Sequence, residues 1–170
     1  MSINFIKNFL SDFYREFPHI NYELYEVPID EQTKQLLEGK TEIGIANAPL
    51  KQSKRFETLF SRKERLVALF HKDSPYLKND KPNILLDDLE DIPLCLSRGC
   101  SELFFSVCSD SHIFPQVMSI NTTKLSAIAW AEKNTGVAIV PAPAVELFST
   151  DLVRKEIKDE RLFLEMTLSI

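Results

Sequence analysis

No apolar run in the 170-residue sequence approaches the roughly 20 residues needed to cross a bilayer. The opening MSINFIKNFLSDFYREFP has a helical period broken by charges, which does not fit a secretory signal, so a cytoplasmic setting is expected. Cysteine is sparse and odd in number: Cys95, Cys100 and Cys108 contain no Cys-x-x-Cys pair and argue against a secreted disulfide framework. The three histidines, His19, His71 and His112, stand far apart, so no metal site is expected. A basic stripe is also missing. With a net charge of −5 and scattered Lys and Arg, the chain should not bind nucleic acid strongly by itself. There is no Gly-x-Ser-x-Gly elbow, Gly-x-Gly-x-x-Gly loop or P-loop, and no nucleophile–base–acid set emerges. The expectation is therefore a non-enzyme with no catalytic residue and no cofactor.

What is present reads as globular: 44% hydrophobic and 26% charged residues, in a length that suits one ordinary domain or two small lobes. Apolar residues recur at Phe5, Ile6, Phe9, Leu10, Phe13, Tyr14 and Phe17, predicting a helix over 3–17 that Pro18 ends. Alternation predicts a strand over 21–27. A short helix follows from Asp30 to Leu37, stopped by Gly39, and then a buried strand over 42–46. Two further strands are expected over 57–60 and 65–70, a surface connection over 71–82, and a helical turn at 87–89. The strand 92–96 leads into a tight turn, Ser97-Arg98-Gly99, and a helix over 101–109. A strand over 116–120, a helix over 124–134 capped by Asn121 and Thr122, and a strand over 137–140 complete a second unit. Gly136 supplies the turn into that last strand, and a final strand covers 162–170. Helix–strand alternation of this kind predicts an α/β fold with a parallel sheet and flanking helices. The expected division is 1–69, with 161–170 returning to it, and 70–160. In open parallel sheets ligands lie beyond the carboxyl ends of the strands.

Several stretches carry a resemblance. Residues 17–24 (FPHINYEL) followed by 35–45 (QLLEGKTEIGI) are similar to a strand, helix and strand pattern of LysR-type transcriptional regulators. Leu89-Glu90-Asp91-Ile92-Pro93-Leu94 and Asn134-Thr135-Gly136-Val137-Ala138-Ile139-Val140-Pro141 resemble two further motifs of that family's effector-binding domain. The resemblance implies a two-lobed periplasmic-binding-protein-like (type 2) fold with mixed, mostly parallel sheets. It also implies a small-molecule effector between the lobes and a homodimer or tetramer. DNA would be contacted only through a winged helix-turn-helix outside this chain, with no membrane involved.

The candidate effector-binding residues are Ile29, Asn47, Ser97, Arg98, Gly99, Cys100, Ser101, Asn121, Thr122 and Pro141. Ser97 to Ser101 link a strand to a helix, where free backbone amides and the helix dipole favour an anion. Arg98 would add a bidentate contact to a carboxylate. The plain alternative is an exposed turn with a solvated arginine and a serine cap. Asn47 and Ile29 match positions that the resemblance places at the cleft, where loop packing is the competing explanation. Asn121 and Thr122 are read first as caps, with Thr123 an alternative cap, and Pro141 as the structural end of a strand near the cleft. Trp130 is expected in core or interface packing. Cys100, at a helix N-terminus beside Arg98, has surroundings that lower a thiol pKa, and Cys108 follows two turns later. A thiol-based redox sensor is thus one alternative, against buried cysteines serving as small apolar residues. Others are a transport-type solute-binding protein, an enzyme such as a dehydratase, and an oligomerisation module without ligand.

Overall fold

The computed structural model of the chain describes residues 10–46, 53–78, 80–142 and 149–170. Two compact units emerge, Met1–Lys63 with Glu165–Ile170, and Glu64–Leu164. The division expected at 69/70 falls inside a strand, Thr58–His71, that runs from one unit into the other without a turn to mark the boundary.

In the first unit, helix α1 (Ser11–Glu16) ends before Pro18, and Phe13 packs against Phe17 in a tilted pair with ring centroids 4.8 Å apart. The rest of the expected helix, 3–9, lies outside the described residues. Residues 21–27 do not form the expected strand, since none of them joins a ladder among the described residues. Their alternation fails for a physical reason: Leu24 is 49% exposed, so no buried face holds a pairing register. Helix α2 (Ile29–Leu37) closes at Gly39 (φ 67°), with the Lys40 amide donating to Gln35 O at 2.9 Å. Gln32 Nε2 donates to Ile45 O at 3.0 Å and ties α2 to strand β1 (Gly44–Ala46). Strand β1 pairs antiparallel with the last strand, β8 (Phe163–Ser169).

Strand β2 (Thr58–His71) is continuous where the sequence suggested two pieces. Ser61-Arg62-Lys63-Glu64 breaks the hydrophobic pattern but not the backbone. In the second unit β2 is joined by β3 (Asn83–Ile84), β4 (Leu94–Ser97), β5 (Val117–Asn121), β6 (Val137–Pro141) and β7 (Leu152–Ile157). Their order is β3-β7-β2-β6-β4-β5. Strand β4 runs parallel to β5 and β6, while β2 is antiparallel to β6 and β7. The sheet is thus mixed: β2 runs antiparallel to its two neighbours, with the parallel pair β3/β7 on one side and the parallel strands β6, β4 and β5 on the other. Neither β3 nor β7 is announced by the hydrophobic pattern of the sequence.

Period-two alternation distributes the core over both faces. Leu66, Ala68 and Phe70 point to one side, with Phe104, Val107 and Cys108 of helix α3 (Arg98–Asp110). Val67 and Leu69 point to the other, with Ala127, Ile128 and Ala131 of helix α4 (Lys124–Glu132). Helix α3 connects β4 to β5, and α4 carries the chain from β5 back across β4 to β6. Two crossovers in opposite directions place their helices on opposite faces, since each is right-handed.

The turn after α4 is made by Asn134, which takes the left-handed conformation (φ 55°), not by Gly136 as the sequence suggested. Gly136 answers a different need. A Cβ there would lie 2.8 Å from Pro93 O and 3.2 Å from Cys95 Sγ. Gly136→Ala must push β6 from β4 and is expected to cost about 1–3 kcal/mol. An unchanged denaturation midpoint would contradict this.

Candidate functional site

The parallel strands β4, β5 and β6 end at Ser97, Asn121 and Pro141. Ser97 pairs with Asn121 in the ladder, and Leu96 with Ile139, so the three carboxyl ends lie along one edge of the second unit. The N-termini of α3 and α4 start from the same edge. Eight of the ten candidates gather here: Ser97, Arg98, Gly99, Cys100, Ser101, Asn121, Thr122 and Pro141. Ile29 belongs to the first unit, where it is the first residue of α2 and its carbonyl accepts from Thr33 Oγ1 at 2.8 Å. Asn47 lies outside the described residues.

Ser97-Arg98-Gly99 is not the tight turn expected. Ser97 ends β4 in an extended conformation (φ −80°, ψ 137°), and α3 begins directly at Arg98. A strand running straight into a helix leaves Arg98 and Gly99 exposed while burying Ser97, Cys100 and Ser101. Ser101 Oγ donates to Arg98 O at 3.0 Å. Although Ser97 occupies the N-cap position, no side chain caps α3. The Ser97 hydroxyl instead meets Cys100 Sγ at 3.1 Å. Capping of the first-turn amides is what an N-cap serine ordinarily provides. Here that acceptor is turned away.

Helix α4 behaves differently. Thr123 Oγ1 accepts from the Ser126 amide at 3.1 Å, so Thr123 is the cap, not Asn121 or Thr122. Asn121 cannot serve because its amide is committed elsewhere. Its Nδ2 donates to Leu96 O (3.3 Å) and to Ser119 Oγ (3.0 Å), while its Oδ1 accepts from Trp130 Nε1 (3.3 Å). Asn121 is therefore a brace between β4, β5 and α4. Trp130, expected in packing, is 43% exposed and held by that hydrogen bond. Thr122 is exposed, and Pro141 is buried, paired with Leu66. Sequence reasoning missed the Asn121 brace because its partners are brought together only by the ladder.

The burial of the three cysteines agrees with their reading as small apolar residues and speaks against the redox alternative. Burial pushes the Cys100 thiol above its ordinary pKa, and the Ser97 contacts and the Lys124 charge offset this only in part. Burial, with the nearby Asp159 charge, pushes Cys108 up to about 11. Cys95 is also raised by burial, and all three are free thiols. The helix N-terminus would favour a thiolate, but removal from water outweighs it. Mild peroxide at neutral pH should therefore leave all three reduced by mass spectrometry. Rapid sulfenic acid formation at Cys100 would contradict that.

Elsewhere, a depression of about 430 Å³ in the first unit is lined by Leu36, Thr41, Arg55 and Ile170 among others, and by none of the candidates. Among the described residues there is no cluster of His, Cys, Asp and Glu suited to a metal ion, and no helix long and apolar enough to cross a membrane.

Comparison with known proteins gives consistent matches. The family model described as the LysR substrate binding domain matches residues 1–169. The HTH-type transcriptional regulator AlsR of Bacillus subtilis (strain 168) is 24% identical over 171 aligned positions, covering 97% of this chain and 55% of AlsR. BenM of Acinetobacter baylyi, also an HTH-type transcriptional regulator, is 27% identical over 144 positions, covering 80% of this chain and 47% of BenM. The chain thus spans about half the length of these curated relatives. Among solved structures, full-length BenM E226K superposes with a TM-score of 0.80 at 20% identity, over 98% of this chain and 56% of that one. The Synechocystis PCC6803 CcmR regulatory domain in complex with 2-PG gives 0.80 at 13%, over 99% and 82%. The BenM effector-binding domain with its effector benzoate gives 0.77 at 20%, over 98% and 77%. These structures share the fold, a periplasmic-binding-protein-like α/β arrangement with a mixed sheet.

Proposed function

The chain belongs to the LysR substrate-binding domain family, and we propose that it is the sensing part of a cytoplasmic transcriptional regulator that binds a small carboxylate at the start of α3. The observation that carries this is the uncapped N-terminus of α3, at the carboxyl edge of the parallel strands. Its amides and dipole favour an anion. Exposed Arg98 stands at the same point with a guanidinium that can grip a carboxylate with two parallel hydrogen bonds. Two structural relatives are solved with small molecules, the BenM effector-binding domain with its effector benzoate, a carboxylate, and the CcmR regulatory domain with 2-PG. That supports an acid as the ligand class. The curated relatives are transcriptional regulators, which favours sensing over turnover or transport.

In this reading the contacts are Arg98, Gly99 and the first-turn amides, with Ser97, Cys100 and Ser101 buried beneath them. Asn121 and Pro141 shape the floor. The ligand acts by binding one conformation of the regulator better than another; without such a difference it would shift nothing. Self-association and DNA binding through a segment outside this chain complete the proposal.

Calorimetry at neutral pH with benzoate, 2-PG and short aliphatic acids, each beside its neutral amide or ester, tests it. At least one acid should bind saturably and its neutral analogue at least roughly tenfold more weakly, since a hydrogen bond to a charged group contributes about 1.5–3 kcal/mol. Equal affinity for acid and neutral analogue would count against the reading.

A further inference from the structure

The depression in the first unit brings apolar surface, two opposite charges and an unpaired hydroxyl to one place. Its volume of about 430 Å³ falls in the range of small-molecule sites. Leu36 and Leu37, at the end of α2, and Phe56 and Ile170 supply the apolar lining. Arg55 and Glu42 line it as well, and both are exposed. Neither forms an ion pair with a described residue. The Thr41 hydroxyl, at the same depression, is buried and has no hydrogen-bond partner among the described residues. A buried polar atom left unpaired is rare enough to call for a partner. Helix α2 also ends here, and the partial negative charge of a helix C-terminus favours a cation.

Matched one by one, these features define a ligand chemistry. A carboxylate meets Arg55 and offers the Thr41 hydroxyl an acceptor. An ammonium group meets Glu42 and the end of α2. An apolar side chain covers the leucines, Phe56 and Ile170. A purely anionic ligand brings like charge to Glu42, and a purely cationic one brings it to Arg55, so each is selected against. We propose that this depression is a second small-molecule site, taking a zwitterion with an apolar side chain, the chemistry of an aliphatic α-amino acid. It lies wholly within the first unit and goes beyond the carboxylate reading of the α3 start, on which it does not depend.

Leucine is the probe, followed through the backbone amide NMR shifts of the chain. It should shift amides among residues 36–42, 55, 56 and 170 saturably. Leucinamide lacks the carboxylate and N-acetylleucine lacks the ammonium group. Each should bind roughly fivefold more weakly, the scale of an exposed ion pair. Glycine, with no side chain to cover the apolar lining, should bind roughly tenfold more weakly. Two exposed substitutions that leave the fold intact then separate the charges. Arg55→Ala should weaken leucine and N-acetylleucine and leave leucinamide unchanged. Glu42→Gln should weaken leucine and leucinamide and leave N-acetylleucine unchanged. Equal affinity for leucine and its two singly charged analogues, or a uniform loss across all three in either variant, overturns the zwitterion assignment. Leucine that shifts none of these amides, or only those of residues 98–101, overturns the site.

Discussion

Phe104→Ala is expected to cost the fold about 3–5 kcal/mol, a large share of the roughly 5–15 kcal/mol that holds an ordinary domain together. Phe104 is fully buried on α3, packed in the same cluster as Leu66, Leu94, Leu96 and Ile139. Its neighbours in the buried stripe are Cys100, Ser101, Val107 and Cys108, at helical spacing, so one row of side chains fixes the helix on the sheet. The phenyl ring is the largest member of that row. Its loss removes transfer free energy and leaves a cavity that the close-packed sheet and helix do not readily fill. Chemical denaturation should show the shift in midpoint. A loss below about 1 kcal/mol would mean that the sheet face collapses around the gap more easily than the packing suggests.

Arg98→Ala should have the opposite profile. The side chain is exposed and α3 begins without its help, so stability should change by no more than about 0.5 kcal/mol. Affinity for the carboxylate should fall by roughly tenfold or more, because a bidentate contact to a charged group is lost. Arg98→Lys keeps the charge and loses the planar fork, so it should recover only part of the affinity. Calorimetry on the three proteins separates these outcomes. Retained affinity in Arg98→Ala would place the guanidinium in solvent, away from any ligand.

Much of the fold was legible wherever local chemistry and tertiary structure agree. Gly39 marked the end of α2 because a left-handed residue is needed there, and the apolar runs at 94–96 and 137–140 became two adjacent parallel strands. The edge itself was legible too: a buried strand followed by Ser-Arg-Gly-Cys-Ser pointed to a helix start. What the sequence did not disclose depends on partners distant in the chain. Residues 21–27 alternate but have no ladder, while β7 alternates less clearly and is held in place by β2 and β3. Gly136 looked like a turn residue, and only the approach of Pro93 reveals why no side chain fits. Cys100 looked activated because a helix start and an arginine lie beside it in sequence. Its burial between β4, β6 and α3 reverses that. Asn121 looked like a cap until Trp130 and Leu96 took its amide.

A crystal structure with the tightest-binding carboxylate tests the central claim most directly. The account predicts carboxylate oxygens about 2.7–3.2 Å from first-turn amides of α3, with the Arg98 guanidinium turned onto the same group. A ligand bound elsewhere, with the start of α3 facing only solvent, would contradict it.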